Sequence, residues 1–206
     1  MVDNVAALVR LMVVTDDALV AGRDLAALGR AAERGGASAV QLRLKRASPR
    51  ELAAAARRLI ASVSIPVLIN DRPDVALAVG AAGVHLGPED LPVALARRLA
   101  PPGFVIGASV GSAEEALAGT GADYWGIGPW RITVTKPDAG DALGPAGFAR
   151  LVRTSGARPC VAIGGVLPED VPLVRAAGGA GIGVAAGILS RDDVEEATRR
   201  YAEADR

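Results

Sequence analysis

Eight short apolar segments recur along this chain, and each is followed by a helix-forming segment rich in Ala, Leu, Arg or Glu. Most of the apolar segments are continuous Val, Ile, Leu and Ala runs without polar alternation. They therefore predict strands that are covered on both faces, as in a parallel sheet. The predicted strands cover residues 11–15, 39–44, 66–70, 83–86, 104–109, 124–127, 160–163 and 181–184.

The helical segments carry start and stop signals. Ser48 is an expected N-cap with Glu51 three residues later, and Gly35-Gly36 is an expected helix stop. The predicted helices cover residues 24–34, a segment opening at Ser48, and residues 73–79, 92–100, 112–118, 146–153, 169–177 and 192–204. Eight strand–helix units predict one (β/α)8 TIM barrel spanning residues 1–206. The alternative is an open doubly wound sheet, although no G-x-G-x-x-G pattern follows the first strand.

Lys plus Arg and Asp plus Glu each number 23, so the chain carries no formal net charge. That balance argues against broad electrostatic binding to nucleic acid or to an anionic membrane, so any anion site should be local. The single cysteine, Cys160, cannot form an internal disulfide, and with one histidine a Cys/His zinc site is not expected. No apolar run approaches the roughly 20 residues of a membrane helix, and the N-terminus lacks a signal-peptide pattern. We expect a cytoplasmic protein.

In such a barrel the active site lies at the carboxyl ends of the strands. Alternation along the second strand places Gln41, Arg43 and Lys45 on one side and Leu42 and Leu44 on the other. Two cations beside a barrel mouth are unfavourable unless an anion meets them, which favours a phosphate site. The alternative is a solvated strand end.

Two carboxylates follow the next two strands. Asp71 and Asp90 each stand close before a predicted helix, so each could be a helix cap. Together, and next to two cations, they also suit Mg²⁺ carrying a diphosphate. His85, at the end of the fourth strand, reads more simply as a structural residue. The Ser109 hydroxyl after the fifth strand could donate to phosphate or begin the next helix.

Glycine-rich turns follow the last two strands. Gly164-Gly165 comes after the seventh, and residues 181–188 contain three glycines. Backbone N–H groups can approach an anion closely at such turns, so this end predicts a monophosphate site, although glycine turns are also ordinary in such barrels. Between the two anion sites, a polar loop carries Thr133, Thr135 and Lys136 in the pattern T-x-T-K.

Seven motifs occur in order along nearly the whole chain. They are V-Q-L-R-x-K at residues 40–45, I-N-D-R-x-D at 69–74, G-V-H-L-G-x-x-D at 83–90, I-G-x-S at 106–109, G-A-D-Y-x-G-x-G-P at 121–129, T-x-T-K at 133–136 and A-I-G-G at 162–165. As a set they closely resemble the thiamine phosphate synthase (thiamine-phosphate pyrophosphorylase) family. The resemblance implies a (β/α)8 barrel that joins hydroxymethylpyrimidine diphosphate to hydroxyethylthiazole phosphate with Mg²⁺.

The resemblance also implies a role for each matching residue. Gln41 and Asn70 orient the pyrimidine, and Asp71 and Asp90 hold Mg²⁺. The diphosphate is held by Arg43, Lys45, Ser109 and Lys136. The thiazole phosphate is bound by Thr133, Thr135 and the backbone of Gly164, Gly165, Ala185 and Ala186.

Some positions depart from the family pattern. Gly111 stands where a His is common, Leu44 where an acid is common, and Ala186 where a Ser is frequent. Ile132, preceded by Trp130-Arg131, stands where a Pro is common. One alternative is the related thiazole tautomerase, but its catalytic His would lie where this chain has Pro129. A second alternative is a non-catalytic barrel that binds thiamine phosphates as a regulator. A homodimer is left open.

Overall fold

The eight predicted strands all form in the computed structural model, which describes residues 4–131 and 141–205. Each strand pairs in parallel with its neighbours in chain order, and β8 closes on β1, which confirms the (β/α)8 barrel. The strands are β1 Leu11–Val14, β2 Ala39–Leu42, β3 Val67–Asn70, β4 Gly83–Leu86, β5 Val105–Val110, β6 Tyr124–Ile127, β7 Cys160–Ile163 and β8 Gly181–Val184. The second strand is two residues shorter than predicted, so Arg43 lies in the loop that follows it.

The helices alternate with these strands. They are α1 Val5–Leu8, α2 Asp17–Val20, α3 Leu25–Arg34, α4 Pro49–Ile60, α5 Pro73–Val79, α6 Val93–Leu99, α7 Ala113–Ala118, α8 Gly144–Val152, α9 Val171–Ala176, α10 Ala186–Leu189 and α11 Val194–Glu203, with a 3-10 turn at Pro168–Asp170. The sequence did not predict α1, α2 or α10, because a four-residue helix is too short to show a 3.6-residue period. No described helix is long and apolar enough to cross a membrane.

The predicted helix cap and helix stop both form in the structure. The Ser48 side chain accepts from the Glu51 backbone N–H, and Glu51 accepts from the Ser48 N–H in return. After α3 the chain turns at Gly36, whose φ of 98° is readily adopted only by glycine. Burial of alternate side chains then divides the core into two layers.

The larger layer lies between the barrel wall and the helices and contains outward-facing strand residues such as Val13, Leu42 and Ile69. The smaller layer fills the barrel interior with Met12, Leu68, Val105, Tyr124 and Val161. Every fully buried aliphatic side chain contributes about 1.5–3 kcal/mol. Because the strands are packed on both faces, their carboxyl ends are rigid attachment points for the loops that follow.

One aromatic ring inside the barrel depends on a glycine. Gly107 lies opposite Tyr124 in the pairing of β5 with β6, and a Cβ at Gly107 would lie 2.2 Å from Tyr124 Cζ. Glycine therefore makes space for the Tyr124 ring beneath the carboxyl ends of the strands.

Candidate active site

The two predicted cations lie at the carboxyl end of the barrel, and each is held by a carboxylate. Arg43 Nη1 lies 2.7 Å from Asp16 Oδ2, and Lys45 Nζ lies 2.7 Å from Asp71 Oδ2. The Lys45 side chain is 50% exposed, whereas that of Arg43 is 19% exposed. Both charges are thus fixed at the mouth, and the Lys45 amine can also reach a ligand from solvent.

Asp71 has a strained backbone and does not cap the following helix. Its φ is 65°, and the Arg72 N–H donates to Asn70 O across it at 2.8 Å, as in a γ-turn with positive φ. Such a turn is rare for a non-glycine residue and is unfavourable unless its surroundings impose it. Helix α5 has Arg72 at its N-cap, without a side-chain cap. The capping interpretation of Asp71 is therefore wrong.

Asp90 is also not a helix cap. Helix α6 has Pro92 at its N-cap without a side-chain hydrogen bond, while Asp90 Oδ2 accepts from the Gly87 N–H at 2.6 Å. The loop after β4 is thereby folded so that the Asp90 carboxyl faces Asp71, to which it hydrogen-bonds. The structure brings together two carboxyls from neighbouring strand ends.

The two carboxyls titrate differently because they are partly buried side by side. Burial, together with the hydrogen bond and negative charge of Asp71, raises the pKa of Asp90 to about 6. Burial also opposes the ionisation of Asp71, but hydrogen bonds from Asp90 and Lys45 outweigh burial and lower its pKa. Below about pH 6 the two carboxyls therefore carry one proton between them, which indicates an excess of negative charge at this point.

That excess of negative charge suits a divalent cation. In the described part of the chain, no group of three or more acidic, histidine or cysteine side chains is placed to hold a metal. Mg²⁺ fits such a site, because it commonly takes one or two carboxylates and completes its shell with water and substrate phosphate oxygens. Asp71 and Asp90 can supply those two carboxylates.

A line of polar side chains crosses the barrel interior beneath the cations. Gln41 Nε2 donates to Met12 Sδ at 3.4 Å, and its side chain also hydrogen-bonds to Tyr124. The Tyr124 hydroxyl lies 2.9 Å from His85 Nδ1, and His85 Nε2 lies 3.0 Å from Ser109 Oγ.

This line fixes the hydroxyl of Ser109 from below. Complete burial raises the pKa of Tyr124, so its hydroxyl stays protonated. Ser109 does not begin α7, since Ser112 is the N-cap of that helix. Asn70, the last residue of β3, lies opposite His85 in the strand pairing. Strands β2, β3 and β5 thus contribute Gln41, Asn70 and Ser109, respectively, to the same end of the barrel.

Sequence reasoning missed the loop after β1. Besides pairing with Arg43, Asp16 caps α2 by accepting from the Ala18 N–H. Asp17 accepts from the backbone N–H groups of Lys45 at 2.8 Å and Arg46 at 3.3 Å. Thr15 Oγ1 donates to the Arg43 carbonyl and accepts from its N–H. The signal was available, because Thr15-Asp16-Asp17 is a polar run directly after a strand.

The second anion region lies after β7 and β8. Gly164 and Gly165 have φ values of 87° and 73°, which favour glycine and turn the backbone sharply. Ala185 is the N-cap of the short helix α10, which begins at Ala186. The structure therefore places the four predicted backbone residues on two neighbouring loops. Thr133, Thr135 and Lys136 lie outside the described residues.

Comparison with known proteins points in one direction. Residues 11–188 match the family model described as thiamine monophosphate synthase. A thiamine-phosphate synthase of Methanospirillum hungatei is 43% identical over 94% of this chain and 96% of the relative, and one of Azorhizobium caulinodans is 48% identical over 92% and 91%. Among solved structures, a thiamine phosphate pyrophosphorylase from Pyrococcus furiosus superposes with a TM-score of 0.84. It is 37% identical and the match covers 98% of this chain and 97% of that one.

Proposed function

The chain belongs to the thiamine monophosphate synthase family, and from this membership we propose how its barrel joins hydroxymethylpyrimidine diphosphate to hydroxyethylthiazole phosphate. The products are thiamine phosphate and diphosphate. The observation that carries the proposal is the group formed by Lys45, Asp71 and Asp90 at the barrel mouth, with Arg43 next to it. A site built to hold cations and carboxylates together suits a metal-bound diphosphate.

Arg43 and Lys45 bind the diphosphate. A guanidinium can donate two parallel hydrogen bonds to phosphate oxygens, and an ammonium supplies a compact charge. Asp16 sets the direction of the Arg43 side chain, while Asp71 keeps Lys45 beside the metal ligands. The Ser109 hydroxyl, positioned by His85, adds a neutral donor. The sequence motif adds Lys136 to this group.

Asp71 and Asp90 would hold Mg²⁺ in place of the shared proton. The metal supplies charge neutralisation for the diphosphate as it departs. The backbone conformation of Asp71 and the hydrogen bond from the Gly87 N–H to Asp90 fix the direction of both carboxyls. The two carboxyls therefore face each other from neighbouring loops, as two ligands of one ion must.

Gln41 and Asn70 orient the pyrimidine ring, and the backbone of Gly164, Gly165, Ala185 and Ala186 binds the thiazole phosphate. Gln41 is only 2% exposed and is held by Met12 and Tyr124, so its amide presents a fixed edge. The glycine turns suit a monophosphate because backbone N–H groups can approach its oxygens closely. The motif assigns Thr133 and Thr135 to the same phosphate.

The reaction exchanges a carbon–oxygen bond for a carbon–nitrogen bond. The methylene carbon of the pyrimidine loses diphosphate, and the lone pair of the thiazole nitrogen forms the new bond. Negative charge grows on the leaving oxygen, where Arg43 and Lys45 stabilise it. The nitrogen already carries its lone pair, so no general base is required. Alignment of nitrogen and carbon by the two phosphate sites supplies further acceleration.

One assay tests this proposal. Purified protein is incubated with both substrates, with Mg²⁺ in one reaction and with EDTA in a second, and thiamine phosphate and diphosphate are measured. We expect equal amounts of the two products with Mg²⁺ and little product in EDTA. Absence of thiamine phosphate under both conditions would overturn the synthase function, and full activity in EDTA would overturn the metal role of Asp71 and Asp90.

A further inference from the structure

An ion pair joins the loop after β6 to the loop after β7. Arg131 Nη1 contacts Asp170 Oδ2, and the side chain of Asp170 is only 2% exposed. The same carboxylate oxygen accepts from the Leu167 N–H at 2.8 Å. A carboxylate this deeply buried is unfavourable unless a cation and hydrogen bonds compensate it. Arg131 is therefore held at Asp170 although 46% of its own side chain is exposed.

The backbone of Arg131 contacts the glycine turn directly. Its N–H donates to the Gly164 carbonyl at 2.8 Å. A Cβ placed on Gly165 would lie 2.9 Å from the Arg131 Cβ, so the stem of the arginine packs against this turn. Arg131 thus contacts both glycines of the turn. Through Asp170 it also contacts the segment that follows the turn.

We propose that Arg131 is a positioning residue for the thiazole phosphate, which it serves by fixing the Gly164-Gly165 turn through Asp170. This inference rests on the proposed function, because that function places the monophosphate at the turn. Two consecutive glycines with positive φ have much conformational freedom to lose on binding. An ion pair that restricts them beforehand lowers that loss and so strengthens binding.

The geometry separates this role from direct phosphate binding by Arg131. To reach the phosphate with its guanidinium, the arginine would leave the buried Asp170 carboxylate without its cation, held by the hydrogen bond from the Leu167 N–H. Such an uncompensated buried charge is strongly unfavourable. Arg131 therefore stays at Asp170 while the backbone of the turn meets the ligand.

Two single variants and their combination test the inference. Arg131→Met removes the charge but keeps an apolar stem, and Asp170→Asn keeps an acceptor for the Leu167 N–H. We expect each to raise KM for the thiazole phosphate about tenfold, with KM for the pyrimidine diphosphate changed less than about twofold. The double variant should be no worse than either single one, because both remove the same interaction. If Asp170→Asn leaves the thiazole phosphate KM unchanged, or if both KM values rise equally, the inference is overturned.

The amino end of the barrel offers a matched control. Asp123 Oδ2 there accepts from Arg97 Nη2 at 2.6 Å and from the Ile106 N–H at 2.7 Å, the same pattern as at Asp170. Arg97→Met and Asp123→Asn should lower the unfolding temperature without changing either KM. A KM increase in these variants equal to that of Arg131→Met would show a general loss of stability and overturn the inference.

Hydrogen exchange separates failure of the inference from failure of the proposed function. Amides in residues 161–167 should exchange about tenfold faster in Arg131→Met than in the unmodified protein, with the strands of the opposite barrel wall unchanged. If the unmodified protein makes no thiamine phosphate, the proposed function fails. If it is active but neither exchange nor KM responds to Arg131→Met, the positioning role fails.

Discussion

Aspartates lie beside basic side chains at both ends of the barrel, but the two ends arrange these charges differently. At the amino end, Asp205 receives two hydrogen bonds from Arg175, at 2.5 and 2.6 Å, and lies 3.5 Å from Arg10. Asp123 is similarly paired with Arg97. At the carboxyl end, Asp71 and Asp90 instead face each other and share the half-exposed Lys45.

The charged pairs at the amino end therefore stabilise the fold, whereas we expect the charges at the carboxyl end to bind a ligand. At the amino end Arg175 donates two hydrogen bonds to Asp205 and Arg97 donates one to Asp123, so the fold itself gains from these charges. The Asp71–Asp90 pair instead raises the pKa of Asp90 and accompanies the strained backbone of Asp71, and both lower the stability of the fold. The comparison predicts that variants at one end should change activity and those at the other should change stability.

The largest effect is expected for Lys45→Ala. Loss of the ammonium removes a charge that stabilises the departing diphosphate, so kcat/KM should fall about 100- to 1,000-fold, which corresponds to roughly 3–4 kcal/mol. Steady-state kinetics with both substrates measures this loss. The control is Arg46→Ala, which removes the next cation along the chain, an exposed side chain, and should leave kcat/KM nearly unchanged. Equal losses in the two variants would contradict a specific role for Lys45.

At the amino end, Asp205→Asn should act on stability alone. Asp205 is 6% exposed on its side chain, and the substitution removes the charge that two arginines share. We expect the free energy of unfolding to fall by about 2 kcal/mol, the usual contribution of a hydrogen bond to a charged group. Denaturant titration measures this change. A loss of activity under conditions where the variant is fully folded would break the division between the two ends.

Most of the barrel could be predicted because its strands are continuous apolar runs and its helices carry clear caps. The positions of Arg43, Lys45, Asp71 and Ser109 at the carboxyl end of the barrel could be predicted, because each lies near the end of a strand, while their binding roles stay predictions. The sequence could not decide whether Asp71 and Asp90 cap helices. That choice depends on the backbone conformation of Asp71 and on the Gly87 N–H bond to Asp90.

Other contacts depend on strand register or on distant loops. Tyr124 meets His85 because β5 and β6 pair so that Gly107 lies beside the ring, which no local pattern reveals. Arg131 meets Asp170 across 39 residues. Asp16 was overlooked because α2, a four-residue helix, is too short to be predicted from the sequence. In the structure Asp16 caps α2 and has a second role at Arg43.

That second role leads to a smaller predicted effect, in Asp16→Asn. Asn caps helices about as well as Asp, so α2 should persist while the charge that directs Arg43 is lost. We expect kcat/KM to fall about tenfold, which is about 1.4 kcal/mol, with little change in stability. The matched control is Asp24→Asn, since Asp24 caps α3 in the same way and lies 4.0 Å from Arg30. If both variants lose activity equally, Asp16 does not act through Arg43.

The smallest expected effect is a gain of stability at the carboxyl end, in Asp90→Asn. The folded pKa of Asp90 is about 6, above the ordinary 3.8, so the protein binds this proton more tightly when folded. Stability from that proton is fully present below the unfolded pKa and is lost as the pH rises through about 6. Asp90→Asn does not titrate. In EDTA it should therefore gain stability relative to the unmodified protein between about pH 5 and about pH 8, by about 1 kcal/mol after allowance for solvent screening.

Thermal unfolding in EDTA at the two pH values measures this gain, and repetition with Mg²⁺ should reverse it, because a metal that binds the folded state stabilises only the protein that keeps both carboxylates. Asp74→Asn is the control of opposite sign on the neighbouring helix. The hydrogen bond from Arg72 lowers the pKa of Asp74, so the ionised Asp74 stabilises the fold. Asp74→Asn should therefore lower the stability at pH values above the unfolded pKa. A stability difference for Asp90→Asn that is the same at both pH values would contradict the shared proton. The carboxyl end would then resemble the amino end, with each of its charges already compensated within the fold.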